Sequence, residues 1–110
     1  MPSDIAILGA GSWGTALAVH LARIGHKVRI WSIEKPIIAE MLERRANAVY
    51  LPDIALPDAV APTTAIDEAL DRVDIVVAVV PSHAMRSVVG AARPFLSPGA
   101  TMVSAAKGLE

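Results

Sequence analysis

An α/β fold built on a parallel sheet is what this sequence predicts, on three observations. Short apolar runs alternate with segments whose apolar residues recur at helical spacing. The clearest run, DIVVAVV over 74–80, is β-branched and apolar on both faces, as suits a strand in the middle of a parallel sheet. Hydrophobic residues make up 54% of the chain and aromatics only 4%, so Ala, Val, Ile and Leu must build the core, as helices packed on such a sheet would require.

The elements follow in order. DIAIL over 4–8 is a buried strand ending at a glycine. Ala16, Leu17, Leu21 and Ile24 share one face of a helix over 12–24, which Gly25 stops. KVRIW over 27–31 alternates as a second strand. Ile37, Ile38, Met41 and Leu42 give a helix over 34–45 its apolar face, with Pro36 tolerated in the first turn. Residues 47–62 carry Pro52, Pro57 and Pro62 and predict a loop, with a weak third strand over 59–63. A short helix over 66–70 is expected to be capped by Thr64 or Asp67. After the strand over 74–80 come a helix from Ser82 or His83 to Ala92, a turn at Ser97, Pro98 and Gly99, and a fifth strand over 101–105. Alternating strands and helices imply right-handed βαβ crossovers and the strand order 3-2-1-4-5, with helices on both faces. The 110 residues fit one domain, 1–110. A stop soon after a strand leads us to expect a fragment.

The first strand runs into Gly9, Ala10, Gly11, Ser12, Trp13 and Gly14, and a helix begins within that run. This is the strand-loop-helix setting in which G-x-G-x-x-G marks a Rossmann-type dinucleotide site. Gly9 serves the tight turn, Gly11 the approach of backbone to a pyrophosphate, and Gly14 the close packing of helix on strand. Amides opening the helix at 12–14 would face the phosphates. The alternative is a glycine turn with no ligand. An acid for the adenosine ribose is expected roughly 20 residues on, where Trp31, Ser32, Ile33 and Glu34 stand. Glu34 is the nearest carboxylate, and it also suits a plain helix start. Ser32, Arg29 and Lys35 are alternatives that would accommodate a 2′-phosphate, so the residues leave NAD and NADP both open.

Bulk chemistry narrows the partners. A net charge of −1, from 10 basic and 11 acidic residues, gives no footprint for nucleic acid and no polybasic membrane patch. With no cysteine, disulfides, thiolate catalysis and cysteine-ligated metal are excluded. The start MPSD lacks the basic opening of a secretory signal, and the run 73–81 is too short to span a bilayer. A soluble cytoplasmic protein with no membrane insertion is expected. His20 and His26 have no metal-ligand spacing, and Asp67, Glu68, Asp71 and Asp74 form no paired acid-base set.

Four blocks read together carry a more specific likeness: GAGSWGTAL over 9–17, NAVYLP over 47–52, VPSH over 80–83 and AKGLE over 106–110. With them the chain resembles the N-terminal domain of bacterial NAD(P)-dependent glycerol-3-phosphate dehydrogenase, over nearly its whole length. The resemblance implies NAD or NADP as cofactor and reversible hydride transfer between dihydroxyacetone phosphate and sn-glycerol 3-phosphate, feeding glycerophospholipid synthesis. Apart from the resemblance, the high hydrophobic fraction and the stop after a strand predict an exposed apolar patch, and with it a homo-oligomer. The resemblance implies cofactor contacts at Ser12, Trp13 and Ile33, the last commonly polar or aromatic in relatives, and a role for Lys107 toward both cofactor and substrate. The helical C-terminal domain with its proton-transfer lysine is absent, so no catalytic residue falls in 1–110 and the chain alone is expected to be inactive.

Other candidates carry two readings each. Pro81, Ser82 and His83 follow the fourth strand, where they border the nicotinamide half of a cofactor; His83 is an acid or base there, or a solvated helix-start histidine. Asn47 and Tyr50 edge the site, or belong to a Pro-ordered connector. Trp13 is cofactor wall or core, and Lys107 a ligand residue or a surface lysine. Two other functions compete: another two-domain NAD(P) dehydrogenase, and a non-catalytic NAD(P)-sensing module.

Overall fold

A computed structural model describes residues 3–105. Its elements are β1 (Asp4–Leu8), α1 (Ser12–Arg23), β2 (Lys27–Trp31), α2 (Lys35–Arg44), β3 (Ala46–Asn47), β4 (Leu51–Ala55), β5 (Val60–Thr63), α3 (Ile66–Leu70), β6 (Ile75–Ala78), α4 (Ser82–Ala92), a 3-10 turn at Arg93–Phe95, and β7 (Thr101–Ser104). Five strands form one sheet in the order β5-β2-β1-β6-β7, every pair parallel. Counting sheet strands alone, this is the expected 3-2-1-4-5.

Both faces are covered. On one, Ile5, Ile7, Val28, Ile30, Val60 and Val77 pack with Ala18 and Val19 of α1 and Ile37, Ile38 and Met41 of α2. On the other, Ala6, Leu8, Trp31 and Val76 pack with Ala69 and Leu70 of α3 and Ala92 of α4. β1 therefore alternates between two cores and has no wet face. Burying one Ile or Leu side chain contributes about 1.5–3 kcal/mol. Ile5, Ile7 and Leu8 are all buried, so truncating any of them in β1 is costly.

Four expectations need correcting. Residues 47–62 are not simply a loop, because β3 and β4 pair antiparallel through an irregular register. Pro52 within β4 is tolerated because a two-stranded ladder always leaves an edge where no N–H is needed. Leu42 is 57% exposed, so α2 buries only Ile37, Ile38 and Met41. The cap of α3 is neither Thr64 nor Asp67: Ala65 holds the cap position, and its amide donates to the Thr63 hydroxyl, which reaches on to Glu68. The fourth sheet strand ends at Ala78, two residues short of Val80.

The topology sets the site. From β1 the chain winds to β2 and β5 on one side, then returns to lay β6 and β7 on the other. The loops leaving β1 and β6 thus diverge at adjacent carboxyl ends, the crevice where open α/β sheets bind ligands.

Candidate functional site

The loop leaving β1 contains three glycines with three different constraints. Gly9 sits at φ +128°, and a Cβ there would collide with the Val79 carbonyl and come within 3.2 Å of Val80 Cγ1. Its amide donates to the Trp31 carbonyl at 2.7 Å, tying the loop to the end of β2. A Cβ on Gly14 would strike the Gly9 carbonyl and lie 3.5 Å from Ile7 Cγ2. Both glycines are thus demanded by the protein's own packing. Gly11 is different. Its φ of −77° suits any residue, and an added Cβ would meet nothing within 4 Å. The fold has no need of a glycine at position 11.

Gly11 is also the cap residue of α1. Its carbonyl accepts from the Thr15 amide at 2.9 Å, no side chain caps the helix start, and the first turn carries no acid. The orphan amides and the positive end of the helix dipole are left for something else. They open on a cleft of about 550 Å³. One wall is Gly11, Ser12, Trp13 and Gly14, the opposite wall is Val79, Val80, Pro81, Ser82 and His83, and Tyr50 stands at the edge. Trp13 is 50% exposed in the first turn of α1, so it is wall rather than core. Val79 and Val80 reach the cleft because β6 leaves the sheet after Ala78, while the Val79 amide still donates to the Leu8 carbonyl at 2.8 Å.

A buried polar network fixes the glycine loop to the β3–β4 hairpin. Asn47 is 0% exposed, and its Nδ2 donates to the Ala10 carbonyl at 2.8 Å and to Thr15 Oγ1 at 2.9 Å. Thr15 Oγ1 in turn donates to the Ala10 carbonyl at 3.3 Å. Asn47 Oδ1 accepts from the Tyr50 amide at 3.3 Å, and the Ser12 hydroxyl donates to the Tyr50 carbonyl at 2.6 Å. The Tyr50 hydroxyl reaches both oxygens of Glu34, at 3.0 and 3.1 Å. The Glu34 carboxylate, as acceptor and as nearby negative charge, raises the phenol's pKa above its ordinary 10.0. The phenol therefore stays protonated and donating at neutral pH.

The sequence candidates separate accordingly. Gly11, Ser12, Trp13, Gly14 and Pro81 line the cleft together with Ser82 and His83. Gly9 lies beneath it in a structural turn. Ile33 is 79% exposed just past β2 and does not line this cleft. Lys107 lies outside the described residues. The Arg29 guanidinium donates through Nη1 to two backbone carbonyls, that of Glu68 at 3.4 Å and that of Asp71 at the end of α3. Ser32 Oγ accepts the Glu34 amide at 3.0 Å in the turn before α2. Glu34 is the cap residue of α2, as its position suggested, but it caps through its backbone carbonyl, which accepts from the Ile37 and Ile38 amides, and not through its side chain. His26 Nδ1 accepts from the Ser3 amide, and no cluster of possible metal ligands exists among the described residues. No helix among them is long and apolar enough to cross a membrane. Neither Val79 nor the Tyr50–Glu34 contact is apparent in the sequence, and Val80 enters there only within the VPSH block, not as a cleft residue. The valines were hidden in a strand-like run, and the contact depends on the hairpin.

Comparison with known proteins gives the same picture. Residues 4–110 match the family model described as the N-terminus of NAD-dependent glycerol-3-phosphate dehydrogenase. A glycerol-3-phosphate dehydrogenase of Geobacillus kaustophilus, named as using NAD(P)+, is 49% identical over 107 residues, 97% of this chain and 31% of that protein. One from Koribacter versatilis is 44% identical over 109 residues, 98% of this chain and 32% of its own length. The crystal structure of the Coxiella burnetii glycerol-3-phosphate dehydrogenase superposes with a TM-score of 0.93 at 40% identity, covering 98% of this chain and 33% of that one. The chain spans about a third of the length of the curated relatives it matches.

Proposed function

The chain belongs to the NAD-dependent glycerol-3-phosphate dehydrogenase N-terminal family, and from that membership we propose that it is the dinucleotide-holding part of an enzyme interconverting dihydroxyacetone phosphate and sn-glycerol 3-phosphate. NAD(H) or NADP(H) would supply the hydride. The observation that carries this reading is the open space over Gly11 at an uncapped helix start. A missing Cβ that the protein does not need makes sense where a ligand's phosphates approach the backbone.

The chain's own residues then take these tasks. Amides in the first turn of α1 receive the pyrophosphate. Trp13, Val79, Val80 and Pro81 supply apolar walls that keep water from the nicotinamide, where fixed charges act more strongly than in bulk solvent. Lys107, shortly after β7 in sequence, is assigned to the anionic substrate. We assign no catalytic residue within 1–110. The reading extends to glycerophospholipid supply, a cytoplasmic location consistent with a chain free of cysteine, and a homo-oligomer.

Calorimetric titration of the chain with NAD+ and NADP+ tests the site. No heat of binding from folded protein at millimolar ligand would refute it. Dihydroxyacetone phosphate-dependent oxidation of NADH or NADPH, assayed with these residues inside a protein of the relatives' full length, tests the substrate. Light scattering across a concentration series tests the oligomer.

A further inference from the structure

We infer that Asn47 is a positioning residue of the dinucleotide site: from the β3–β4 hairpin it draws the Ala10 carbonyl inward and so aims the Gly11 amide at the pyrophosphate. This rests on the dinucleotide reading above and gives a task there to a side chain that does not itself line the cleft. Gly9 and Gly14 are held by their own close packing, whereas nothing crowds Gly11. Its orientation must come from a neighbour.

A trans peptide group is planar, with its C=O and N–H pointing opposite ways. The Ala10 carbonyl and the Gly11 N–H belong to one such group, and no peptide bond among the described residues is cis. Asn47 Nδ2 donates to that carbonyl at 2.8 Å from 37 positions away, with Thr15 Oγ1 as a second donor at 3.3 Å. Both donor side chains are buried. With the carbonyl turned into the protein, the amide turns out of it, and Gly11 lines the cleft. Among the described residues no backbone carbonyl accepts from the Gly11 amide, which leaves it for an anion.

The task suits an asparagine. Its Nδ2 protons go to the Ala10 carbonyl and to Thr15 Oγ1, and its Oδ1 accepts from the Tyr50 amide. An aspartate of the same shape has the acceptor without the donors, and an alanine has neither. Left to Thr15 alone, the Ala10 carbonyl keeps one long bond, and the peptide is freer to turn beside a residue with no Cβ to restrict it. The loss falls on a hydrogen bond to a charged phosphate, roughly twice as strong as one between neutral groups.

The test is calorimetric titration of the chain with NAD+ in sucrose, which favours the folded state. Asn47→Ala and Asn47→Asp are expected to bind at least about tenfold more weakly than wild type. Leu70→Ala is the control. It truncates a fully buried side chain in the core that α3 forms, away from α1, so it should lower Tm comparably yet leave the NAD+ affinity of folded protein within about twofold. In isotope-labelled wild type, saturating NAD+ should shift the NMR amide signal of Gly11 together with those of Trp13 and Gly14. In the Asn47 variants the Gly11 shift should be lost while the other two persist, a split that lost stability alone does not produce. Asn47 variants that bind NAD+ like wild type, a loss as large in Leu70→Ala, or a wild-type Gly11 amide unmoved while Trp13 and Gly14 respond would each overturn the inference and leave the dinucleotide site standing. The last of these needs no variant, so it decides even where neither Asn47 variant folds. If NAD+ gives no heat and moves no loop amide of folded wild type, the site reading falls and this inference with it.

Discussion

Alanine at each of the three loop glycines should separate folding from binding. At Gly9 the new Cβ meets the Val79 carbonyl at φ +128°. Backbone held in such a region costs about 1–3 kcal/mol, and overpacking against an atom that cannot rotate away adds about 1–3 kcal/mol. A loss of about 2–6 kcal/mol is expected for Gly9→Ala, and for a domain of this size each kcal/mol lowers Tm by roughly 4–8 °C. Gly14→Ala drives α1 off the Gly9 carbonyl. Its cost of about 1–3 kcal/mol is offset by about 1 kcal/mol of helix propensity, leaving a smaller net loss. At Gly11 nothing lies within 4 Å and φ is ordinary. Alanine is a poorer cap than glycine, but it also restricts the unfolded chain, and the two effects nearly cancel, to within about 1 kcal/mol. Thermal melts followed by circular dichroism, with calorimetric NAD+ titrations on the same samples, give both quantities. Gly11→Ala should melt near wild type yet bind dinucleotide at least about tenfold more weakly. If Gly11→Ala melts as early as Gly9→Ala, or binds NAD+ like wild type, the assignment of its open space to a ligand is wrong.

Three further outcomes are expected. Asn47→Ala should cost about 2–4 kcal/mol, because it removes bonds from a fully buried network and leaves the Tyr50 amide without its acceptor; urea melts should show a lower midpoint at unchanged slope. Tyr50 is the single tyrosine, so the near-ultraviolet tyrosinate band reports it alone. Its midpoint should lie above 10.0, and Glu34→Gln should bring it back toward 10.0. The folded state holds that proton more tightly than the unfolded one, so the associated stabilisation is present below pH 10.0 and is lost as pH rises through the folded midpoint. Of the two tryptophans, Trp13 is half exposed on the cleft and Trp31 is buried with its indole N–H on the Thr64 carbonyl; acrylamide should therefore quench Trp13 alone, and NAD+ should protect it.

The centre of the sheet was legible because β1 and β6 are buried on both faces, so that the runs Ile5 to Leu8 and Ile75 to Ala78 are apolar without interruption. The glycine loop was legible because its spacing is itself a geometric requirement, as Gly9 and Gly14 show. The β3–β4 hairpin was not legible, since a half-exposed pair containing Pro52 and a positive-φ Asp53 reads as loop by composition. With the hairpin hidden, so was the network it completes. Asn47 looked like a loop residue, and the Tyr50–Glu34 contact joins positions 16 apart through a turn no local pattern announces. Arg29 resembled a phosphate ligand by charge alone. Its bonding to carbonyls at the end of α3 depends on where that helix packs against β2. Leu42 satisfied the helical period but fell just beyond the stripe that α2 buries.

The return of the chain to β1 has a consequence for how the site comes into being. One side of β1 is closed by a near neighbour, as the Ser3–His26 bond spans 23 positions. The other side is closed by a distant one, the Asp4–Asp74 bond spanning 70. Closing the longer loop costs about 1 kcal/mol more in chain entropy, and contacts so far apart in sequence are slow to form. On this ground the βαβ unit carrying the glycine turn is expected to assemble before β6 arrives, and with β6 come Val79, Val80 and the opposite wall of the cleft. Half of the cleft is then expected early, and the whole only near the end of folding. A ligand that needs both walls arrives too late to hasten assembly and acts instead on the reverse step, slowing the unfolding of the finished domain.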